Sequence, residues 1–473
     1  MRRDFSGRRV TVMGLGRFGG GVGVARYLVK RGARVTVTDA AKPETLADSV
    51  AALAGLPVRF RLGGHDEADF TGCDLLVVGP GVPKNSPYLA AAVGAGVPLS
   101  AEMNLFLAEC AGRVVGVTGT NGKSTVTAMA GAILRTRFTT WVGGNIGRSL
   151  LDDVEHIGPD DRVALEMSSF QLEDLAPAGI CPLVSVVTNL TPNHLDRHGS
   201  FEEYGRAKKN IFRFHRPHDW LILNADDPVT RTWAGERSGR LAWFSTESPT
   251  GAGDLTVRAA DGRVLLDGRD AGPLRLAVPG RHNRSNAMAA LAAALIEGVP
   301  ADDALAALAA YRSLPDRLEH VETIDGVAWY NDSIATTPES VFAALGSFEV
   351  PRIVIVGGVN KNLDLRPLAA ELHRSAKAVV MIGTAGPEIR RLLEDEAGRA
   401  GGAGPVLADA GGMGEAVECC AELARPGDVV LMSPACASFD MFTNYRHRGQ
   451  VFADCVRALA ARRAAEPTAS AAG

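Results

Sequence analysis

At 473 residues the chain is too long for one hydrophobic core, and at roughly 100 to 200 residues per domain it predicts about three domains. Its composition, 46% hydrophobic and 22% charged, is that of an ordinary globular protein, and a net charge of −4 supplies no basic field for nucleic acid or an anionic membrane. Seven cysteines without a CxxC pair speak against a disulfide framework or structural zinc, and no apolar run approaches the roughly 20 residues a membrane span needs. The basic start (Arg2, Arg3, Arg8, Arg9) runs into a glycine turn, unlike a signal peptide. A cytoplasmic monomer acting on small molecules, with no nucleic-acid or membrane partner, is the expectation.

Residues 8–39 predict strand, glycine-rich turn, helix and strand ending on an acid, a βαβ unit. With the apolar run DLLVVGPGVP they make 1–110 a small doubly wound domain. A second unit opens at RVVGVTGTNGKSTVTAMAGAILR and continues through VALEMSS, LVSVVTNL and WLILNADDP. A hairpin turning at Asp261-Gly262 follows, then Ala-rich helices between Asn286 and Ala310, giving a central domain over 111–313. SLPDR, Ser313 to Arg317, looks like a linker into a third domain, 314–463, with a turn at Asp325-Gly326 and buried-strand candidates RIVIVGG, AVVMIG and DVVLMSP. The Ala-rich end, 464–473, is expected to be disordered. The fold class expected is α/β in three domains: Rossmann-like, a P-loop ATPase-like domain with a mostly parallel sheet and a small hairpin, and a second Rossmann-like domain.

The strongest local signal is GTNGKST: Gly119, Thr120, Asn121, Gly122, Lys123, Ser124 and Thr125, between an apolar strand and a helix. Such a loop turns backbone N–H groups and a helix N-terminus toward phosphate oxygens, Lys123 adds a positive charge, and the Ser124 hydroxyl can ligate Mg²⁺. Val117 stands where the full Walker pattern has its first glycine, and a purely structural turn is the plainer alternative. Gly14, Gly16 and Gly19, with Asp39 further on, fit a dinucleotide fingerprint. Taken alone that pattern suits an NAD(P)-dependent enzyme or a packing turn; beside a phosphate loop, a nucleotide-sugar diphosphate is the better fit. Glu166, His194 and Lys208 could build a metal site, although singly a histidine is more often just hydrogen-bonded and a lysine of a KK pair solvated.

Together, LEMSSFQL, TPNHLDRH and YGRAKKNIF, following GTNGKST in that order, resemble the Mur ligase family over nearly the whole chain. The resemblance implies an ATP-dependent ligase that joins an amino acid to a UDP-linked cell-wall precursor through an acyl phosphate. It implies that Lys208 is carbamylated by CO₂ and, with Glu166 and His194, holds one Mg²⁺, while Ser124 binds a second shared with ATP. Lys123, His194 and Lys208 would then be the catalytic set. LPDRLE and YNDSIATTPES resemble the family's linker and ATP-reaching segments and imply that Arg317 and Asp332 contact nucleotide. GRHNRSN implies the same of Asn283 and Asn286, near adenine.

The ending SPACASFDMFTNYRHRG most resembles the glutamate-adding members, implying that Ser438, Phe439 and Tyr445, with Thr336 and Lys361, surround the incoming glutamate. For the UDP end the resemblance points to Gly14, Leu15, Gly16 and Asn145, with Ser168 nearer the reacting end. The expected substrates are ATP, a UDP-sugar amino acid (UDP-N-acetylmuramoyl-L-alanine) and glutamate, D rather than L. Another Mur-type ligase, a folylpolyglutamate synthase-like enzyme and an NAD-binding oxidoreductase are the alternatives. Departures from the pattern are Ile334 in place of a common Lys, Asn193 in place of an Asp before the histidine, and Ala40 and Ala41 where polar uracil contacts are expected.

Overall fold

The structure, a computed structural model, describes residues 4–16, 19–146, 149–247, 251–400 and 404–465. Two compact units arise: the chain up to Arg275 with Ser285–Ala309, and Leu276–Arg284 with the chain from Ala310 onward. The first carries two sheets and the second one.

The first sheet is parallel throughout: β1 (Arg9–Met13), β2 (Arg34–Asp39), β3 (Val58–Leu62), β4 (Leu75–Val78) and β5 (Leu99–Ser100), in the order β3-β2-β1-β4-β5. Strand order reverses at β1, so the crevice where such sheets take ligands lies beyond the carboxyl ends of β1 and β4. Those ends are the glycine turns Gly14-Leu15-Gly16 and Gly79-Pro80-Gly81. They sit so close that a Cβ on Gly14 would lie 3.3 Å from Val82 Cγ2.

The second sheet has nine strands: β6 (Arg113–Thr118), β7 (Thr140–Gly144), β8 (Arg162–Glu166), β9 (Val184–Val187), β10 (Trp220–Asn224), β11 (Arg240–Ser245), β12 (Leu255–Ala260), β13 (Arg263–Leu266) and β14 (Arg269–Pro273). Their order is β14-β13-β12-β11-β10-β9-β6-β8-β7, with only β12, β13 and β14 antiparallel. Asp261-Gly262 and Asp267-Gly268 both have positive φ at each residue, the geometry of tight two-residue hairpin turns. The expected hairpin about Asp261-Gly262 is therefore part of a three-stranded meander, the second turn lying at Asp267-Gly268.

Behind this sheet runs the helix Arg281–Ile296, whose residues Ala287 to Ala294 have no exposed surface. Alanines let it approach closely, so a helix with no polar face is stable because it is enclosed. It begins at Arg281, a turn and a half before the expected Asn286. Just past its end, the buried Glu297 carboxylate accepts from Arg113 Nε at 2.7 Å and Nη2 at 3.0 Å, and pairs with Arg162 Nε at 2.5 Å. Those arginines open β6 and β8, so one carboxylate ties the helix to the start of both strands that end in the site.

The third sheet comprises β15 (Glu319–Ile324), β16 (Val327–Asn331), β17 (Arg352–Gly357), β18 (Ala378–Ile382), β19 (Val406–Asp409) and β20 (Val429–Ala435), ordered β15-β16-β20-β17-β18-β19. β15 and β16 form a hairpin about Asp325-Gly326, and the other pairings are parallel. β18 and β20 are buried along their whole length, as covering on both faces requires. The last helix, Tyr445–Ala465, includes the first two positions of the expected 464–473 tail; 466–473 lie outside the described residues.

Glu297→Ala would leave Arg162 facing an unfilled, largely buried site. It is expected to lower unfolding stability by about 3 kcal/mol, read by urea denaturation against the unsubstituted protein.

Candidate active site

Three adjacent strands of the nine-stranded sheet, β9, β6 and β8, end together. β6 opens into the loop at Gly119 and the helix Lys123–Leu134; β8 ends on Glu166; β9 leads into Thr188 to His194. Gly119 (φ 144°) and Gly122 (φ 82°) take backbone conformations that side chains resist. A Cβ would also lie 1.9 Å from Thr188 Oγ1 at Gly119 and 2.3 Å from Asn286 Oδ1 at Gly122. The helix beginning at Lys123 leaves its first N–H groups without intrahelical acceptors and points its positive end at the loop, which suits an anion. Ser124 and Thr125 lie in its first turn, and Lys123 Nζ donates to Thr120 O at 2.8 Å.

Lys208, on the helix Phe201–Lys209, is 1% exposed. Its Nζ donates to Gly119 O at 2.7 Å and sits 4.6 Å from the Tyr204 ring centroid. Burial, reinforced by the Lys123 charge, holds this amine well below the usual lysine range. Glu166 is 2% exposed: Oε1 accepts from Asn145 Nδ2 at 2.9 Å, while Oε2 has no hydrogen-bond partner among the described residues. A buried carboxylate oxygen left over in this way is a fitting hard ligand for a divalent cation. His194 takes a left-handed conformation (φ 52°), its amide donating to Asn193 Oδ1. Burial and the charges of Lys123 and Lys208 lower its pKa, which keeps the imidazole neutral and its lone pair available.

The first unit thus gathers Gly119 to Thr125, Asn145, Glu166, His194, Lys208 and Asn286 at one sheet edge. Ser168 lies two residues past Glu166, but its hydroxyl is engaged with Gln171 as a capping box for the helix Ser169–Glu173. At the first sheet, the amides of Leu15 and Gly16 donate to Asp39 Oδ2 at 2.9 and 3.1 Å, and Ala41 N donates to Oδ1. The fingerprint acid therefore fixes the glycine turn in this structure.

The second unit holds Asn283, Arg317, Asp332, Thr336, Lys361, Ser438, Phe439 and Tyr445. Asp332 is buried, accepts from Leu318 N at 3.1 Å and from Ser433 Oγ at 2.8 Å, and burial pushes its pKa up to about 7. Asn283 is also buried and donates to Pro279 O. Ser333 Oγ donates to Tyr445 O, joining the NDS segment to the last helix. Ser438 is buried, Thr336 and Tyr445 half-buried, Lys361 exposed, and Phe439 70% exposed.

Sequence reasoning missed several contributors. Tyr204 Oη donates to Thr120 Oγ1 at 3.3 Å under the Lys208 amine; its position four residues before Lys208, on one helix face, was the available signal. Thr188 Oγ1 donates to Asn121 O at 2.6 Å, and only the fold reveals it. Arg448, with no exposed surface, donates to Ser333 O, Ser333 Oγ and Cys436 O.

Three family models match in chain order: the Mur ligase MurD-like N-terminal domain over 8–101, the Mur ligase middle domain over 117–294, and the Mur ligase glutamate ligase domain over 316–436. The UDP-N-acetylmuramoylalanine--D-glutamate ligase of Roseiflexus sp. is 42% identical over 465 residues, covering 95% of this chain and 98% of its own. The chain belongs to the Mur ligase family. A relative of the same name from Symbiobacterium thermophilum is 40% identical over 456 residues, with 95% and 98% covered. Among solved structures, the UDP-N-acetylmuramate-alanine ligase of Thermotoga maritima aligns with a TM-score of 0.60 at 22% identity, covering 96% of this chain and all of that one. A MurF ligase from the same organism, solved with ADP, gives 0.56 at 17%, covering 96% and 99%. The two structures share this fold.

Gly122→Ala places a methyl group against Asn286 in a left-handed conformation. Strain of about 1 to 2 kcal/mol is expected to weaken triphosphate binding by about tenfold, read by calorimetry with a non-hydrolysable ATP analogue.

Proposed function

We propose that this Mur ligase joins glutamate, as the D isomer, to the terminal carboxylate of UDP-N-acetylmuramoyl-L-alanine at the expense of ATP, in the cytoplasm where both nucleotides are made. The observation that carries this is the meeting of a phosphate-gripping loop, a buried amine and a half-free buried carboxylate at one sheet edge. The names of relatives at 40 to 42% identity over nearly the whole chain support the choice of substrate.

A carboxylate acylates poorly at neutral pH, so it first attacks the γ-phosphorus of ATP. A carboxyl oxygen–phosphorus bond forms, the bond to the β-phosphate oxygen breaks, and ADP leaves behind an acyl phosphate. Lys123 and the loop amides offset the repulsion between the two anions, Lys123 first releasing Thr120 O. The glutamate amine then adds to the acyl carbon, and the tetrahedral intermediate loses phosphate and a proton to give the amide. Asn283, Asn286, Arg317 and Asp332 would hold the nucleotide, and Thr336, Lys361, Ser438, Phe439 and Tyr445 the glutamate. Gly14, Leu15, Gly16, Asn145 and Ser168 would hold the UDP substrate.

Bound Mg²⁺, two ions in this proposal, would neutralise phosphate charge, one held by Ser124 with the triphosphate and the other by Glu166, His194 and Lys208. The partnerless oxygen of Glu166 would offer that ion one hard donor, and a second oxygen beside it would strengthen the site. Lys208 supplies it as a carbamate: burial favours the neutral amine, whose nitrogen adds CO₂ and releases a proton.

Phosphate release should require UDP-N-acetylmuramoyl-L-alanine together with D-glutamate, with L-glutamate at background; release with L-glutamate instead would reassign the isomer. Lys208→Ala should lower the rate by at least about 100-fold, with partial recovery when short-chain carboxylic acids are added. Full activity without them would remove Lys208 from the metal site.

A further inference from the structure

A loop that binds phosphate through its amides works only if its peptides are already turned the right way, since ordering them on binding subtracts from affinity. The peptide preceding Gly122 is the one at risk, because two glycines of positive φ flank Thr120-Asn121 and leave that stretch little intrinsic preference. Asn189, two residues past β9, makes three hydrogen bonds to it. Its backbone carbonyl accepts from Thr120 N at 3.0 Å, its Oδ1 accepts from Asn121 N at 2.9 Å, and its Nδ2 donates to Asn121 O at 3.1 Å. The carboxamide thus stands in for a neighbouring strand, pairing both polar atoms of one residue.

The segment bearing Asn189 is itself braced on the side away from the loop. Asn224 Nδ2, at the end of β10, donates to Thr188 O at 2.9 Å, and Asp227 Oδ2 accepts from Leu190 N at 3.1 Å. Thr191 N donates to Thr120 Oγ1 at 3.0 Å, closing the seam. Asn121 O has a second donor in Thr188 Oγ1, whereas Asn121 N donates to Asn189 alone among the described residues.

We propose that Asn189 is a positioning residue for ATP, fixing the peptide before Gly122 so that the amides beyond it face the phosphates. This rests on the ligase function proposed above and adds to it a residue that need not touch substrate. Without the carboxamide, Asn121 N–H loses its acceptor and the loop must be ordered by the nucleotide itself. The penalty falls on ATP and leaves the sites for the other two substrates alone.

The test uses the full chain, measuring ATP Kd by calorimetry, KM for each substrate, and Tm. Asn189→Ala is expected to raise Kd and KM for ATP about tenfold, with KM for the UDP substrate and glutamate within about twofold and Tm within about 2 °C. Should that variant not fold, Asn189→Ser, too short to span both atoms of Asn121, is held to the same thresholds. An ATP Kd within about twofold of the unsubstituted chain overturns the proposal, as does a fall in Tm with all three KM values rising together. Failure of the unsubstituted chain to bind ATP would overturn the ligase function along with it, an outcome legible before any variant is measured.

Discussion

An anion-binding loop must keep the N–H groups at its helix end for the ligand while its carbonyls, whose dipoles repel phosphate, are held elsewhere. Here successive carbonyls are accounted for: Gly119 O by Lys208, Thr120 O by Lys123, Asn121 O by Thr188 and Asn189, and Gly122 O by the amide of Val126 as the helix begins. Most of these donors come from separate strands or helices, so the loop is only as well formed as the sheet edge around it. That dependence explains why β6, β8 and β9 must be adjacent, and why Glu297 ties the far ends of β6 and β8 to a buried helix.

The same arrangement bears on the state of Lys208. An amine with almost no exposed surface, next to Lys123, is destabilised as a cation, and the Gly119 carbonyl and the Tyr204 ring offset only part of that penalty. A neutral amine is a nucleophile, and Glu166, whose charge acts on Lys208 in the opposite sense, keeps one buried oxygen without a hydrogen-bond partner among the described residues. Both features are unfavourable separately and would become mutually consistent if, as proposed, the lysine were converted to an anion and a divalent ion were shared. Lysine was the residue least expected at a metal site from its sequence context, and its burial is what supports the proposed role there.

Much of the fold was legible because its signals are local. Strand, glycine turn and helix follow one another within about thirty residues in each βαβ unit, and each Asp-Gly pair supplies the two positive φ angles a tight hairpin needs. GTNGKST was legible for the same reason. What escaped was set by contacts far apart in sequence. Thr188 meets Gly119 through strand pairing, and Gly449 has no side chain because a Cβ there would lie 1.7 Å from Asp316 Oδ1. Arg448 gathers Ser333 and Cys436 from two other segments. Apart from Cys436 and Arg448, twelve residues apart, the partners of these contacts lie in separate stretches of sequence, so local pattern cannot report them.

The departure at Asn193 follows from the same electrostatics. Its Oδ1 accepts the His194 amide and supports the left-handed turn at that histidine, a task an aspartate carboxylate would do equally well. The difference is charge. An anion one residue away would favour the imidazolium, as Asp196 already does; with a carboxamide at 193, burial and the neighbouring Lys123 and Lys208 outweigh Asp196 and favour the neutral ring. Neutral imidazole is the form that can give a lone pair to a cation, so the substitution preserves the turn while leaving His194 in the state its proposed role requires.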